Sequence, residues 1–426
     1  MGFDGTVLGL GLALFAVVCI WLYRLLKAQN YMLLLLWPIV IYFCGPTATG
    51  LFADAPVLGR YVFADSVAME TIIIFAYFAA FLLADRVFNL SGCIRASFDD
   101  PTVASLARSP LFLPIFVPTA LAASALQIKS MLDFGSIFSG QYALTNVAEG
   151  LIPYWGFLAG LYEIIFLLFV LYILSGSRSK VRYFVIALYV VTAALRVAGG
   201  TRMILIKEVA VLLILFYCRG VIQRRHLIIA GTTVVGLGSA VGLLRTTAAA
   251  GFLGPLYGLV MESGLNALTF NIAYQVQDAG FVARHGDLLN SFAFVAFSSV
   301  PSFLRFGVDQ NTLDALSPYA LAIGSGFDSS QPVGGMSGFA TLCYLSSYPF
   351  AATLVLVAML TFLLKFTPRG ILKNIVIVVF CLDALHFWRD SIDISVKLLL
   401  QDVVCALLLL YVPAIRRCSV ERVNAT

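Results

Sequence analysis

Long apolar stretches separated by short polar ones dominate this chain, at a spacing that suits membrane-crossing helices. Each such helix needs roughly 20 apolar residues. About thirteen stretches qualify: 6–26, 31–52, 67–85, 111–128, 153–175, 183–199, 202–218, 227–246, 256–275, 288–303, 338–364, 371–388 and 394–413. The ninth and tenth are the weakest. Glu262, Asn266, Asn271 and Gln275 interrupt 256–275, and 288–303 is short. Either suits a partial or re-entrant helix beside a cavity, where irregular backbone is tolerated.

The polar stretches sort themselves by charge. Arg24 and Lys27, then Arg86, Arg95 and Arg108, then Arg178, Lys180 and Arg182, then Arg219, Arg224 and Arg225 fall in alternate loops. Arg284, the pair Lys365 and Arg369, and the tail residues Arg416, Arg417 and Arg422 continue the alternation. Cytoplasmic loops carry the excess of Lys and Arg, so this face is expected to be inside, with the C-terminus. The N-terminus is then expected outside, an assignment that depends on the two weak spans. The opposite face carries three larger loops. Residues 129–152 hold Asp133, Tyr142, Asn146 and Glu149, and 247–256 hold Gly251, Gly254 and Pro255. The longest, 304–337, holds Arg305, Asp309, Asp314, Tyr319, Phe327, Asp328 and Gln331. Connections of that length without regular structure are usually functional or disordered. This mixture of acids, amides and aromatics suits sugar hydroxyls and sugar faces.

Composition strengthens the membrane reading. Of 426 residues, 61% are hydrophobic and 12% charged, with a mean hydropathy of +0.97. Soluble domains average about 45–50% apolar and about 25% charged. The net charge of +5 is largely topological. No basic stripe or aromatic-interleaved recognition helix points to nucleic acid. The eight cysteines form no CxxC pair, lie mostly in apolar stretches, and read as small apolar residues. Thr6 to Leu26 is expected to be a retained span and not a cleaved leader. There is no P-loop, GxGxxG, HExxH or Cys/His metal spacing, so no cofactor and no metal are expected. Asp99-Asp100-Pro101 lies in a basic inner loop and reads as a helix start.

The chemistry-bearing residues are arginines on the outer side. Arg196 lies inside an apolar segment, Arg202 follows the turn Val197-Ala198-Gly199-Gly200-Thr201, Arg245 ends the eighth span, and Arg305 follows Pro301. Arg389 and Asp390 stand at the outer end of the twelfth span. Guanidinium groups there are costly unless they meet an anion. Several converging would clamp a lipid pyrophosphate bidentately. Arg202 opens a helix, where unpaired backbone amides favour phosphate. Lys207 and Glu208 lie deeper in the same segment. They form either part of a substrate path or a neutralising pair with an acid such as Glu163. Transfer to a sugar hydroxyl also needs a base. Glu262, His386 and Asp390 are the main catalytic candidates, with Asp309 and Glu149 behind them.

In the order Gly199-Gly200-Thr201-Arg202, Leu244-Arg245 followed by Glu262, Val300-Pro301, Gly334 to Gly338, and Trp388-Arg389-Asp390, the chain resembles the bacterial O-antigen polymerase (Wzy-type) family. The resemblance covers roughly residues 130–400. It implies an all-α, polytopic inner-membrane protein of about 12–13 transmembrane helices, GT-C-like, in one integral domain. It implies metal-independent transfer of a growing glycan from undecaprenyl pyrophosphate to the non-reducing end of a new repeat unit, at the periplasmic face. Lipid-linked oligosaccharides, membrane lipids, a chain-length-determinant protein and a flippase are the implied partners. Arg202 and Arg245 are the leading pyrophosphate ligands by this resemblance, with Arg196, Arg305 and Arg389 after them. Two rival readings remain. An O-antigen ligase would carry a histidine in its large outer loop, and 304–337 has none. A flippase or transporter would show two related halves, and no internal repeat is evident.

Overall fold

A computed structural model describes residues 5–43, 64–134, 155–176, 181–198, 202–233, 338–346, 348–368, 370–389 and 392–424, with a few isolated residues between 270 and 312. The described residues are helical, with turns and no strands. The longer helices are α1 (Gly5–Lys27), α4 (Ala64–Phe88), α7 (Phe112–Phe134), α8 (Trp155–Leu174), α9 (Val181–Ala198) and α10 (Arg202–Cys218). Shorter pieces intervene: α2 (Leu33–Leu36), α3 (Ile39–Tyr42), α5 (Leu90–Phe98) and α6 (Pro101–Ser105). A helix over 224–233 is α11. The C-terminal part contributes α12 (Gly338–Leu345), α13 (Pro349–Phe366), α14 (Ile371–Leu382), α15 (Ala384–Arg389) and α16 (Ile392–Asn424).

Among the described residues, five helices are long and apolar enough to cross a membrane: Thr6–Lys27, Asp65–Phe88, Phe112–Leu132, Val181–Ala198 and Pro349–Phe366. Their faces agree with that reading. On α13 the exposed side carries Leu354, Val355, Met359, Phe362 and Phe366, while Thr353, Val357, Thr361 and Leu364 face inward. A helix whose apolar side is outermost needs hydrocarbon around it. The inward Thr353 hydroxyl donates to the Pro349 carbonyl at 2.9 Å, which satisfies it without a partner helix. The chain is an all-α membrane protein.

Three expected spans are broken helices. The stretch 31–52 begins with two single turns, α2 and α3, separated at Pro38, whose ring nitrogen has no hydrogen to donate. The stretch 338–364 is interrupted between α12 and α13, where Pro349 starts the second helix. The stretch 371–388 breaks at Asp383, which caps α14 through its N–H to Val379 and then accepts from the His386 N–H at 2.8 Å. The expected loops 247–256 and 304–337, most of 129–152 and most of the segments 227–246, 256–275 and 288–303 lie outside the described residues.

The expected helix start at Asp99-Asp100-Pro101 is present. Asp100 accepts the Thr102 N–H at 2.7 Å, and Pro101 occupies the first helical position. The segment α5–α6 packs on α14, where Asn374 joins the side chains of Ser97 and Asp100.

α8 is apolar all round and buried, so it is a core helix with neighbours on every side. α7 and α9 flank it, and α16 packs along it. An aromatic group formed by Tyr77 of α4, Phe339 of α12 and Phe387 and Trp388 of α15 pins the short α15. That anchorage fixes α15, which carries His386.

Candidate functional site

The buried faces of these helices bring a group of ionisable side chains together in the apolar interior. On α9 the buried stripe is Val185, Tyr189, Thr192 and Arg196, a spacing of three to four residues that keeps one helical face inward. Arg196 therefore enters the core at the end of that stripe, only 2% exposed. Its Nη1 donates to Glu208 Oε1 at 2.8 Å and its Nη2 lies 3.3 Å from Glu163 Oε1. Its guanidinium carbon sits 4.2 Å from the centre of the Tyr162 ring, a cation–π position. Tyr162 in turn donates its hydroxyl to Gln127 of α7 at 3.1 Å.

Lys207 and Glu208 are adjacent on α10 and turn to different partners. Glu208 faces α9, accepting from Arg196 and, at 2.5 Å, from the Tyr189 hydroxyl. The Tyr189 ring is stacked on Phe169 at 3.8 Å. Lys207, with no exposed surface, donates to Glu163 Oε2. Its Nζ is also 3.1 Å from His386 Nε2 and 3.6 Å from Asp383 Oδ1. His386 Nε2 stands 3.2 Å from Glu163 Oε1. Glu163 is thus the hub: one oxygen serves Arg196 and His386, the other serves Lys207.

Donor atoms of Glu163, Asp383 and His386 all lie within 4.8 Å of one another, a spacing compatible with a cation. The Lys207 ammonium already stands against all three groups, so the chain supplies its own cation to that cradle. Asp402 of α16, 1% exposed, lies within electrostatic reach of Asp383, Glu163 and Lys207. The arrangement ties α8, α9, α10, α15 and α16 together at one level. Its chemistry is that of alternating charge with an imidazole among carboxylates, which can hold or pass protons.

The residues expected from sequence fall into three groups. Arg196 and His386 are in the cluster. Arg196, expected as a pyrophosphate ligand, is buried and paired with the carboxylates of Glu163 and Glu208. Arg202 opens α10 and Arg389 closes α15, and the described structure fixes their place on the helix backbone alone. Glu262, Asp390, Arg245 and Arg305 lie outside the described residues. The pairing of Lys207 with Glu163 is the neutralising arrangement that the sequence allowed. Asp383 and Asp402 were missed. Each is a carboxylate inside an expected span, and the rule that intramembrane charges mark partners or function would have found them.

No protein-family model, curated protein or solved structure matches the chain.

Proposed function

We propose that this membrane protein is a glycosyltransferase of the polysaccharide-polymerase type. It moves a growing glycan from a polyprenyl-pyrophosphate carrier onto a new lipid-linked repeat unit, on the outer face of a bacterial inner membrane, within a GT-C-like fold. The observation that supports the reading is a contact between the two helices that carry Arg202 and Arg389. Lys207 is five residues into the helix that Arg202 opens, and His386 is three residues before Arg389; Lys207 and His386 meet at 3.1 Å. At a helical rise of 1.5 Å per residue, the two arginine-bearing helix ends lie about 7 Å and about 4 Å along their axes from that contact. Two of the four arginines proposed to hold pyrophosphate, Arg202 and Arg389, are therefore carried by helices locked to one another. A clamp works only when its donors are held in place before the charge develops. In this reading the cluster is the brace, Arg202, Arg245, Arg305 and Arg389 are the clamp, and the base comes from His386, Glu262 or Asp390. The long segment 304–337 covers the sugars.

The deciding experiment is the glycan profile of a deletion strain on a gel that resolves repeat number. Collapse of the ladder to a single repeat supports polymerisation. Long polymer stranded on the lipid carrier would mean ligation to an acceptor.

A second reading has its own observation. Clustered acids, a lysine and a histidine within the membrane also suit a proton-coupled transporter. Single repeats accumulating inside the cell would favour it.

A further inference from the structure

Counting charge in the cluster exposes an imbalance. Among the described residues of the cluster, Arg196 and Lys207 are the cations, with His386 beside Glu163 a third when protonated, against four buried carboxylates, Glu163, Glu208, Asp383 and Asp402. Glu163 and Glu208 are the better served: Arg196 bridges both, Tyr189 adds a donor to Glu208, and Lys207 donates to Glu163. The other two are poorly served. Among the described residues neither oxygen of Asp383 has a partner at hydrogen-bond distance, Lys207 standing 3.6 Å away, and Asp402 Oδ1 also has none. Both residues are at least 95% buried, and both face the same charges. A buried carboxylate without donors is costly enough that something else occupies it.

We propose that Asp383 and Asp402 form an intramembrane proton-binding site, filled from the aqueous side and read out by Lys207. With a proton on the pair, Lys207 is held by Glu163 alone. With the proton gone, the Asp383 carboxylate competes with Glu163 for the ammonium and draws the Lys207 side chain toward the break between α14 and α15. The described groups that act on the pair are Glu163 from α8, Lys207 from α10, His386 from α15 and Cys405 from α16 itself, and Arg196 and Glu208 reach it through Glu163. The helix breaks between α14 and α15 at Asp383, whose N–H donates to the Val379 carbonyl at 2.9 Å and whose carbonyl accepts from the His386 N–H at 2.8 Å. The inference stands whether the protein polymerises glycans or transports them.

Infrared difference spectroscopy of the full-length protein in lipid bilayers, stepped from mildly acidic to alkaline pH, tests this directly. The expected result is a protonated-carboxyl stretching band that disappears as pH rises, shifts on deuterium exchange, and is lost in Asp402→Asn and in Asp383→Asn. Labelling the wild-type protein with isotopic aspartate should move the band, a readout that needs no variant to fold. Glu70 of α4 is another buried acid with an unpartnered oxygen, so Glu70→Gln is the control. The proposal is overturned by the absence of any pH-dependent carboxyl band, or by a band that moves with labelled glutamate and vanishes only in Glu70→Gln. It is equally overturned if the band responds to sodium at fixed pH, which would make the pair a metal-cation site.

Discussion

Arg196 of α9 and Glu208 of α10 are joined by a 2.8 Å ion pair, with both side chains buried. Neither charge is stable there alone. Removing one partner of a buried pair typically costs about 3–5 kcal/mol, because the survivor is left uncompensated. Arg196→Ala is therefore expected to lower stability by about that amount, measured by unfolding in a fixed detergent. The double variant Arg196→Met with Glu208→Gln should recover much of the loss. Glu163 would still miss one donor, so recovery should be incomplete. Equal stability of Arg196→Ala and the double variant would mean that the pair contributes no coupling.

The same logic applies to Lys207, which serves three groups at once. Lys207→Met leaves Glu163, Asp383 and His386 facing one another with no ammonium between them. Its stability loss should exceed that of Lys207→Arg, which keeps the charge at the cost of a bulkier head group. Adding Glu163→Gln to Lys207→Met should help, since it removes the hub carboxylate. A Lys207→Met protein as stable as wild type would show that the contact is incidental.

Much of the architecture was readable because membrane spans depend on local apolarity. The helices Gly5–Lys27, Ala64–Phe88 and Val181–Ala198 fall where the apolar stretches lie. The cap at Asp100 was readable for a similar reason: Asp followed by Pro is a local signal whose partner is two residues away. The breaks at Pro38, Pro349 and Asp383 were passed over, because mean hydropathy is indifferent to a missing N–H or a kink. The cluster was only half legible. Arg196, Lys207, Glu208 and His386 stood out as charges in apolar surroundings, and Glu163 was named as a partner. Which acid meets which base is a tertiary matter: Lys207 and Glu163 are 44 positions apart and Lys207 and His386 are 179 apart.

Two glycines in this region should respond differently to alanine. A Cβ on Gly338 would stand 2.6 Å from the backbone oxygen of Phe387 and 2.6 Å from its ring, so α12 must move away from α15. Overpacking of this kind costs about 1–3 kcal/mol. A Cβ on Gly160 would meet the Gln401 side-chain oxygen at 2.7 Å, the far end of a flexible chain that can rotate aside. Gly338→Ala should therefore lower the unfolding midpoint more than Gly160→Ala. The opposite order would show that α12 can slide on α15 freely and that Gln401 is the fixed element.

Asp100 sets a pH dependence outside the membrane-spanning segments. Partial burial works against its charged form, but the hydrogen bonds from the Thr102 N–H and hydroxyl, the Asn374 amide and the Val103 N–H outweigh it, and its carboxyl is held below the usual range. A lowered carboxyl pKa stabilises the fold above the unfolded value, about 3.9 for aspartate, and that contribution fades as pH falls through the folded value. Replacing an N-cap aspartate costs about 1 kcal/mol. Asp100→Ala should thus be less stable than wild type at neutral pH, with the gap closing in acid. A gap that stays constant to acidic pH would assign the effect to packing and not to the ionised cap.

The proposed clamp makes the sharpest functional prediction. Arg202→Ala and Arg245→Ala should insert and accumulate normally yet produce no long glycan, since the lost donors act on the departing pyrophosphate and not on the fold. Removing one such charge-stabilising donor costs about 3–4 kcal/mol of barrier, or roughly a hundredfold to a thousandfold in rate. Lysine at either position should rescue poorly, because a point charge does not reproduce a planar two-pronged donor. Arg196→Lys offers the contrast: its damage should be to stability first, with chain length following only as far as the protein is lost. Membrane fractions normalised for protein amount, then scored for glycan length, separate the two behaviours. Full-length glycan in both alanine variants would remove these arginines from the chemistry. Full rescue by lysine would leave charge, and not bidentate geometry, as what the carrier recognises.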